Sequence, residues 1–218
     1  MKNIYSNIYS FNQKILVKTI KSLKQGNIVS LPTETVYGLA GNAYSNKAVK
    51  KIFKMKKRPK INPLIIHYFS SKNICDDVIL NRNFKKLYRK FCPGPITFIL
   101  KKSKNSKVCS LATANLKTVA VRFPKNQIIR KILKFSRFPL AMPSANISSG
   151  LSPVDVLDVF DEFKKKIKII INGGKSKIGI ESTVVDLTGR PKILRPGIIG
   201  INEIKKVIKI DFSKKKLK

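Results

Sequence analysis

The feature that most constrains this chain is the regular alternation of short aliphatic runs, several of them ended by proline, with segments whose apolar residues recur every three to four positions. Ile28-Val29-Ser30-Leu31 stops at Pro32, the run at 118–123 stops at Pro124, and Leu140-Ala141-Met142 stops at Pro143. Proline donates no ladder hydrogen bond, so each reads as the end of a strand. Further strands are predicted at 64–68, at 96–100 behind the rigid Pro93-Gly94-Pro95 turn, and at 167–171, 183–187 and 192–194. Between them, Ile15, Leu16, Ile20 and Leu23 have helical spacing and end at Gly26, a good C′ residue. Helices are also predicted over 46–55, 84–91, 128–135, 153–166 (with Pro153 in the first turn) and 201–208. Strands interleaved with helices define an α/β fold, and no internal repeat or linker divides it.

Composition narrows the function classes. The chain carries 46 Lys+Arg against 11 Asp+Glu, a formal charge of +35. Lys, Ile and Asn, all with A/T-rich codons, make up 84 of the 218 residues, so pI alone is a weak functional argument. No apolar run reaches the roughly 18–20 residues of a membrane span, and the start lacks a signal-peptide apolar region. Cys75, Cys92 and Cys109 are odd in number and widely spaced, as in a reduced cytoplasmic protein. The lone histidine, His67, excludes paired-histidine zinc motifs. Gly173-Gly174-Lys175-Ser176 ends like a phosphate loop but has Ile169 where the motif needs its first glycine, so it reads as a turn.

Four segments concentrate polar and basic residues near strand ends, where α/β folds place ligands. Pro32-Thr33-Glu34-Thr35 presents two hydroxyls and a carboxylate; its ordinary reading is a helix start capped by Thr33 or Thr35. Lys56-Lys57-Arg58-Pro59-Lys60 suits a polyphosphate, although a solvated basic turn has the same composition. Pro143-Ser144-Ala145-Asn146 through Ser152-Pro153 offers donors for an anion, or is a plain Ser/Asn-rich loop. Glu181-Ser182-Thr183 is followed by Leu194-Arg195-Pro196-Gly197, a lone arginine before a tight turn.

Taken together, P-T-E-T-V-Y-G-L (32–39), K-K-R-P-K-I-N-P-L (56–64), C-P-G-P-I-T-F (92–98), T-V-A-V-R-F-P (118–124), P-S-A-N (143–146), E-S-T-V-V-D (181–186) and L-R-P-G (194–197) resemble the YrdC/TsaC family of threonylcarbamoyl-AMP synthases. The resemblance covers about residues 10–210, leaving a basic tail at 213–218. It departs at Cys92, where the family usually has an aromatic residue. It implies one YrdC-like domain over 1–218, the short form, with a twisted mixed sheet and flanking helices around a concave basic cavity.

The implied reaction joins L-threonine, bicarbonate or CO₂, and ATP into threonylcarbamoyl-AMP and pyrophosphate. A partner enzyme then transfers the threonylcarbamoyl group to tRNA, giving N6-threonylcarbamoyladenosine. By the family pattern Lys56 and Arg58 are catalytic; they bind ATP with Lys60, Thr118, Ser144, Asn146, Ser152 and Arg195. Thr33, His67, Arg122, Met142 and Ser182 would hold L-threonine, Arg122 gripping its carboxylate in fork geometry. His67 also reads as a satisfied core histidine. Glu34 and Glu181 are candidates for organising either magnesium or the cations; Mg²⁺ is expected to arrive with ATP, because two isolated carboxylates make a poor cage. The chemistry needs charge neutralisation and alignment, with no covalent nucleophile. Two alternatives stand beside it: a basic RNA-binding or ribosome-maturation protein, since such a charge binds RNA non-specifically, and a paralogue making another carbamoyl adenylate.

Overall fold

The computed structural model describes residues 5–212. Its strands are β1 (Ile8–Ser10), β2 (Val29–Leu31), β3 (Gly38–Asn42), β4 (Ile65–His67), β5 (Ile96–Lys101), β6 (Thr118–Arg122), β7 (Leu140–Ala141), β8 (Ile170–Asn172), β9 (Thr183–Asp186), β10 (Lys192–Arg195) and β11 (Asp211–Phe212). The helices are α1 (Gln13–Lys24), α2 (Asn46–Lys56), α3 (Arg82–Phe91), α4 (Gln127–Ser136), α5 (Val156–Phe163) and α6 (Ile201–Lys205). The strands form one mixed sheet in the order β1-β8-β2-β3-β7-β4-β6-β5-β9-β10-β11.

Side chains alternate across each strand, so successive residues enter different cores. Leu39, Ala141 and Ile170 join one buried cluster, with Val49 and Ile52 of α2, Phe84 of α3 and Val159 of α5. Their neighbours Ala40, Leu140 and Ile171 join the other, beneath Leu16 of α1 and Ile129 of α4. The mixed α/β architecture expected from the alternating pattern is therefore present.

Helix starts are fixed locally. The side chains of Asn12, Asn81 and Asn126 accept from the backbone N–H of Ile15, Phe84 and Ile128, each at 2.9 Å. Such caps satisfy donors that the first helical turn leaves open. Gly26, at φ +73, follows α1 in the left-handed conformation expected of it.

Several boundaries differ from expectation. Pro153 is not in a helix: its carbonyl accepts the Tyr37 N–H at 2.8 Å, and α5 begins only after Asp155, whose reciprocal cap with Asp158 sets the start. The segment closes with a 3-10 turn at Lys164–Lys166. The last helix stops at Lys205, and the strand expected from 167 begins at Ile170. No helix starts at Thr33 or Thr35; the chain turns back there into β3, which the sequence pattern missed along with β1 and β11. The basic tail at 213–218 lies outside the described residues. Among the described residues, no helix is long and apolar enough to cross a membrane.

Candidate active site

The turn after β2 is closed by its own hydroxyls. Thr33 Oγ1 donates to the Val36 carbonyl at 2.6 Å and accepts from the Thr35 and Val36 N–H groups, both at 3.1 Å. That uses the single Thr33 hydroxyl hydrogen, so in the 2.8 Å Thr33–Thr35 contact the Thr35 hydroxyl is the donor. Thr35 Oγ1 in turn accepts from Arg122 Nη2 at 2.9 Å. A relay of side chains thus links the end of β6 to this turn.

Arg122 is held on its other side by Glu34, whose Oε1 lies 2.8 Å from the same Nη2. Both Nη2 hydrogens are therefore committed. Either two-toothed edge of a guanidinium includes Nη2, so the fork grip expected of Arg122 would have to share that nitrogen; Arg122 Nε has no partner. Glu34 Oε2 accepts from the backbone N–H of Lys125 at 2.9 Å and of Asn126 at 3.2 Å. Burial would raise the Glu34 carboxyl, but the charge and hydrogen bond of Arg122, with the backbone donors, hold it below the usual range.

His67 pairs with Arg122 across β4 and β6, and with Leu140 of β7. It is 2% exposed, and neither ring nitrogen has a hydrogen-bond partner, unlike a satisfied core histidine. Burial, helped by the neighbouring Arg122 charge, pushes its pKa well below 6.5, so the imidazole is neutral near pH 7.

On the opposite wall, Arg195 Nε and Nη2 donate to the Ser182 carbonyl at 3.1 and 2.9 Å, and Nη2 reaches Ser182 Oγ at 3.1 Å. Arg195 Nη1 pairs with Glu181, and Ser182 Oγ lies 2.8 Å from Thr97 Oγ1 of β5. Arg58 is fixed by the Asn62 and Pro63 carbonyls at 3.1 and 3.0 Å.

These walls enclose a cleft with about 580 Å³ of empty space, part of it open to solvent. Of the residues expected to bind ligand, Thr33, Arg58, His67, Arg122, Met142, Ser144, Ser182 and Arg195 line it. Three guanidinium groups face one lining carboxylate, Glu181, an arrangement suited to an anion. Thr35, Tyr37, Gly38 and Pro63 also line it without having been singled out as ligand contacts. At Gly38 the reason for a glycine appears only in the fold: a Cβ there would lie 2.5 Å from Met142 Cγ.

The remaining expected residues stand elsewhere. Lys56 is 1% exposed, behind the 144–150 loop, with Nζ donating to the Ser144 and Asn146 carbonyls at 2.6 Å and to Asn146 Oδ1 at 3.2 Å. Asn146 Nδ2 closes the loop onto the Ile147 and Gly150 carbonyls. Lys60 lines a neighbouring groove with Lys50, Lys54 and Lys57, joined to the cleft through Arg58. Ser152 Oγ lies 3.4 Å from Glu181. Thr118 shares a strand face with Arg122, four residues or ~13 Å away.

Glu34 pairs with Arg122 and Glu181 with Arg195. Among the described residues no cluster of three or more His, Cys, Asp or Glu could hold a metal. Burial pushes the Cys92 thiol up to about 12, far from a poised nucleophile.

Comparison with known proteins places the chain in a family. The Sua5/YciO/YrdC family model, described as "Telomere recombination", matches residues 21–197. The threonylcarbamoyl-AMP synthase of Pyrococcus abyssi is 45% identical over 190 residues, which are 85% of this chain and 55% of that protein. The Bacillus subtilis protein of the same name is 37% identical over 202 residues, 91% of this chain and 58% of the relative. This chain thus spans little more than half the length of these two relatives. The crystal structure of P. abyssi Sua5 complexed with L-threonine superposes with a TM-score of 0.89 at 41% identity, covering 94% of this chain and 62% of that one. With a family model matching most of its length and a shared fold at this identity, the chain belongs to the Sua5/YciO/YrdC family.

Proposed function

We propose that this chain synthesises L-threonylcarbamoyladenylate from L-threonine, bicarbonate or CO₂, and ATP. The observation that carries this reading is the convergence of Arg58, Arg122 and Arg195 with Ser144, Ser182 and neutral His67 on one cleft. The amine nitrogen of threonine attacks the carbon of CO₂ and loses a proton, giving a carbamate. A carbamate oxygen then attacks the α-phosphorus of ATP, the bond to the β-phosphate oxygen breaks, and pyrophosphate leaves. Starting from bicarbonate, one water is also released.

The chain's task is to offset negative charge and to align the reactants. Arg58 and Arg195 neutralise the phosphates, with Lys60 at the approach from the neighbouring groove. Ser144, Ser152 and Thr118 add donors to the nucleotide, while Lys56 and Asn146 act at its loop. Arg122 meets the threonine carboxylate, and Thr33, His67, Ser182 and Met142 shape the space around the amino acid. Magnesium enters as the ATP complex, as part of the substrate. The product passes to a transferase that modifies tRNA in the cytoplasm.

Incubation with ATP, L-threonine and ¹³C-bicarbonate tests the reading by mass spectrometry. The expected result is an adenylate carrying one ¹³C, dependent on all three substrates. Absence of that species at any enzyme concentration would overturn it.

A further inference from the structure

The Arg122–Glu34 pair joins residues 88 apart in sequence and is nearly enclosed, the side chains being 5% and 10% exposed. Glu34 does not line the cleft, whereas Arg122 does. The carboxylate therefore approaches the guanidinium from behind the wall. Its second oxygen is anchored by two backbone N–H groups, those of Lys125 and Asn126, immediately ahead of α4. The carboxylate is fixed at one oxygen and the guanidinium at one nitrogen. Thr35, itself fixed by Thr33, holds that nitrogen from the other side. Nη2 cannot rotate towards a ligand without breaking two hydrogen bonds, so the direction in which Nε and Nη1 face is set by Glu34 and Thr35.

We infer that Glu34 is a positioning residue for Arg122: it never touches the substrate, yet it determines how the guanidinium recognises the substrate's carboxylate. The inference rests on the proposal that Arg122 meets the threonine carboxylate. Without this partner the buried guanidinium would be held by Thr35 alone, and a charged anchor removed from low dielectric is costly to replace. Glu34 also leaves Arg122 with fewer free donors than an unpaired arginine has.

The test is calorimetric binding of L-threonine and of L-threonine amide, which lacks the carboxylate, to wild type, Arg122→Ala, Glu34→Gln and Thr35→Val. The amide-to-acid affinity ratio isolates carboxylate recognition from stability and from the nucleotide. Glu34→Gln is expected to lower the preference for the acid at least ~10-fold, approaching the Arg122→Ala value. Thr35→Val, close to isosteric, is expected to lower it by a smaller factor; if Glu34→Gln does not fold, Glu34→Asp, which withdraws the same carboxylate by one methylene, takes its place with the same expected direction. If Arg122→Ala collapses the ratio while Glu34→Gln and Thr35→Val leave it at the wild-type value, the positioning role is overturned and the carboxylate assignment survives. If Arg122→Ala itself leaves the ratio unchanged, the carboxylate assignment fails and the inference falls with it.

Discussion

The ammonium of Lys56 lies 2.6 Å from the backbone carbonyl oxygen of Ser144, 88 residues further along the chain. With the Asn146 carbonyl and side chain, it ties the end of α2 to the loop that follows β7. Lys56→Met would leave these oxygens buried without a donor. The expected cost is about 1–3 kcal/mol of stability, alongside loss of turnover. Urea denaturation with parallel pyrophosphate release checks both, and unchanged stability would contradict the tie.

Burial, reinforced by Arg58, lowers the Lys56 pKa from 10.5 to about 8. The unfolded chain then binds this proton more tightly than the folded one. Below about pH 8 the effect is a full destabilisation, relieved as pH rises from about 8 towards 10.5. The loop tie, however, needs the charged form, so turnover should fall as pH rises through about 8. Lys56→Arg, if active, should lose that alkaline limb because arginine stays charged. A pH–rate profile of both proteins is the check; identical limbs would sever turnover from Lys56.

His67 is the one histidine in the sequence, so its titration is directly readable by ¹⁵N NMR. Burial lowers its pKa, so the imidazole should remain neutral as pH falls through 6.5. The unfolded chain takes up that proton and the folded one does not, so stability from this group falls on acidification through 6.5. A normal titration midpoint would show that the ring is solvated.

Two glycines separate fold from pocket. A Cβ at Gly197 would fall 2.5 Å from the Thr183 N and 2.8 Å from the Glu181 carbonyl oxygen, both backbone atoms. Gly197→Ala must therefore shift the backbone around the Arg195–Glu181 pair, costing about 1–3 kcal/mol and most of the activity. At Gly38 the three atoms nearest the added carbon all belong to the Met142 side chain, a flexible neighbour rather than backbone. Gly38→Ala should keep its melting temperature more nearly than Gly197→Ala while weakening amino-acid binding. Thermal melts and calorimetry on the pair check this, and the reverse order would contradict it.

What the sequence made legible follows from local chemistry. Pro32, Pro124 and Pro143 marked strand ends correctly to within a residue or two, because a missing N–H stops a ladder wherever it occurs. β3 escaped notice because Gly38-Leu39-Ala40-Gly41-Asn42 is poor in β-branched residues. Its conformation comes from pairing with β2 and β7, and a Cβ at Gly41 would meet Ala48 and Ile52 of α2 at 3.2 Å. Pro153 misled for a related reason: a proline favourable in a first helical turn is equally at home in an extended segment, and the Tyr37 N–H decided between them. The motifs identified the arginines of the cleft. Their pairing with Glu34 and Glu181, and the burial of Lys56 behind its loop, depend on long-range contacts that no local pattern carries.

Arg195→Lys retains the charge but loses the fork that donates three times to Ser182. It also loses the planar match to Glu181. By comparison with removal of one preorganised donor elsewhere, turnover should drop about 10²–10³-fold with little change in melting temperature. Steady-state kinetics with ATP varied checks it; wild-type turnover in the lysine variant would mean that charge alone suffices at this position.

The most direct test of the whole account is pyrophosphate release from ATP and bicarbonate with each of the twenty amino acids supplied in turn. Release strongly dependent on L-threonine, and abolished in Arg58→Ala, is the predicted result. Equal release with every amino acid, or none with threonine, would contradict it.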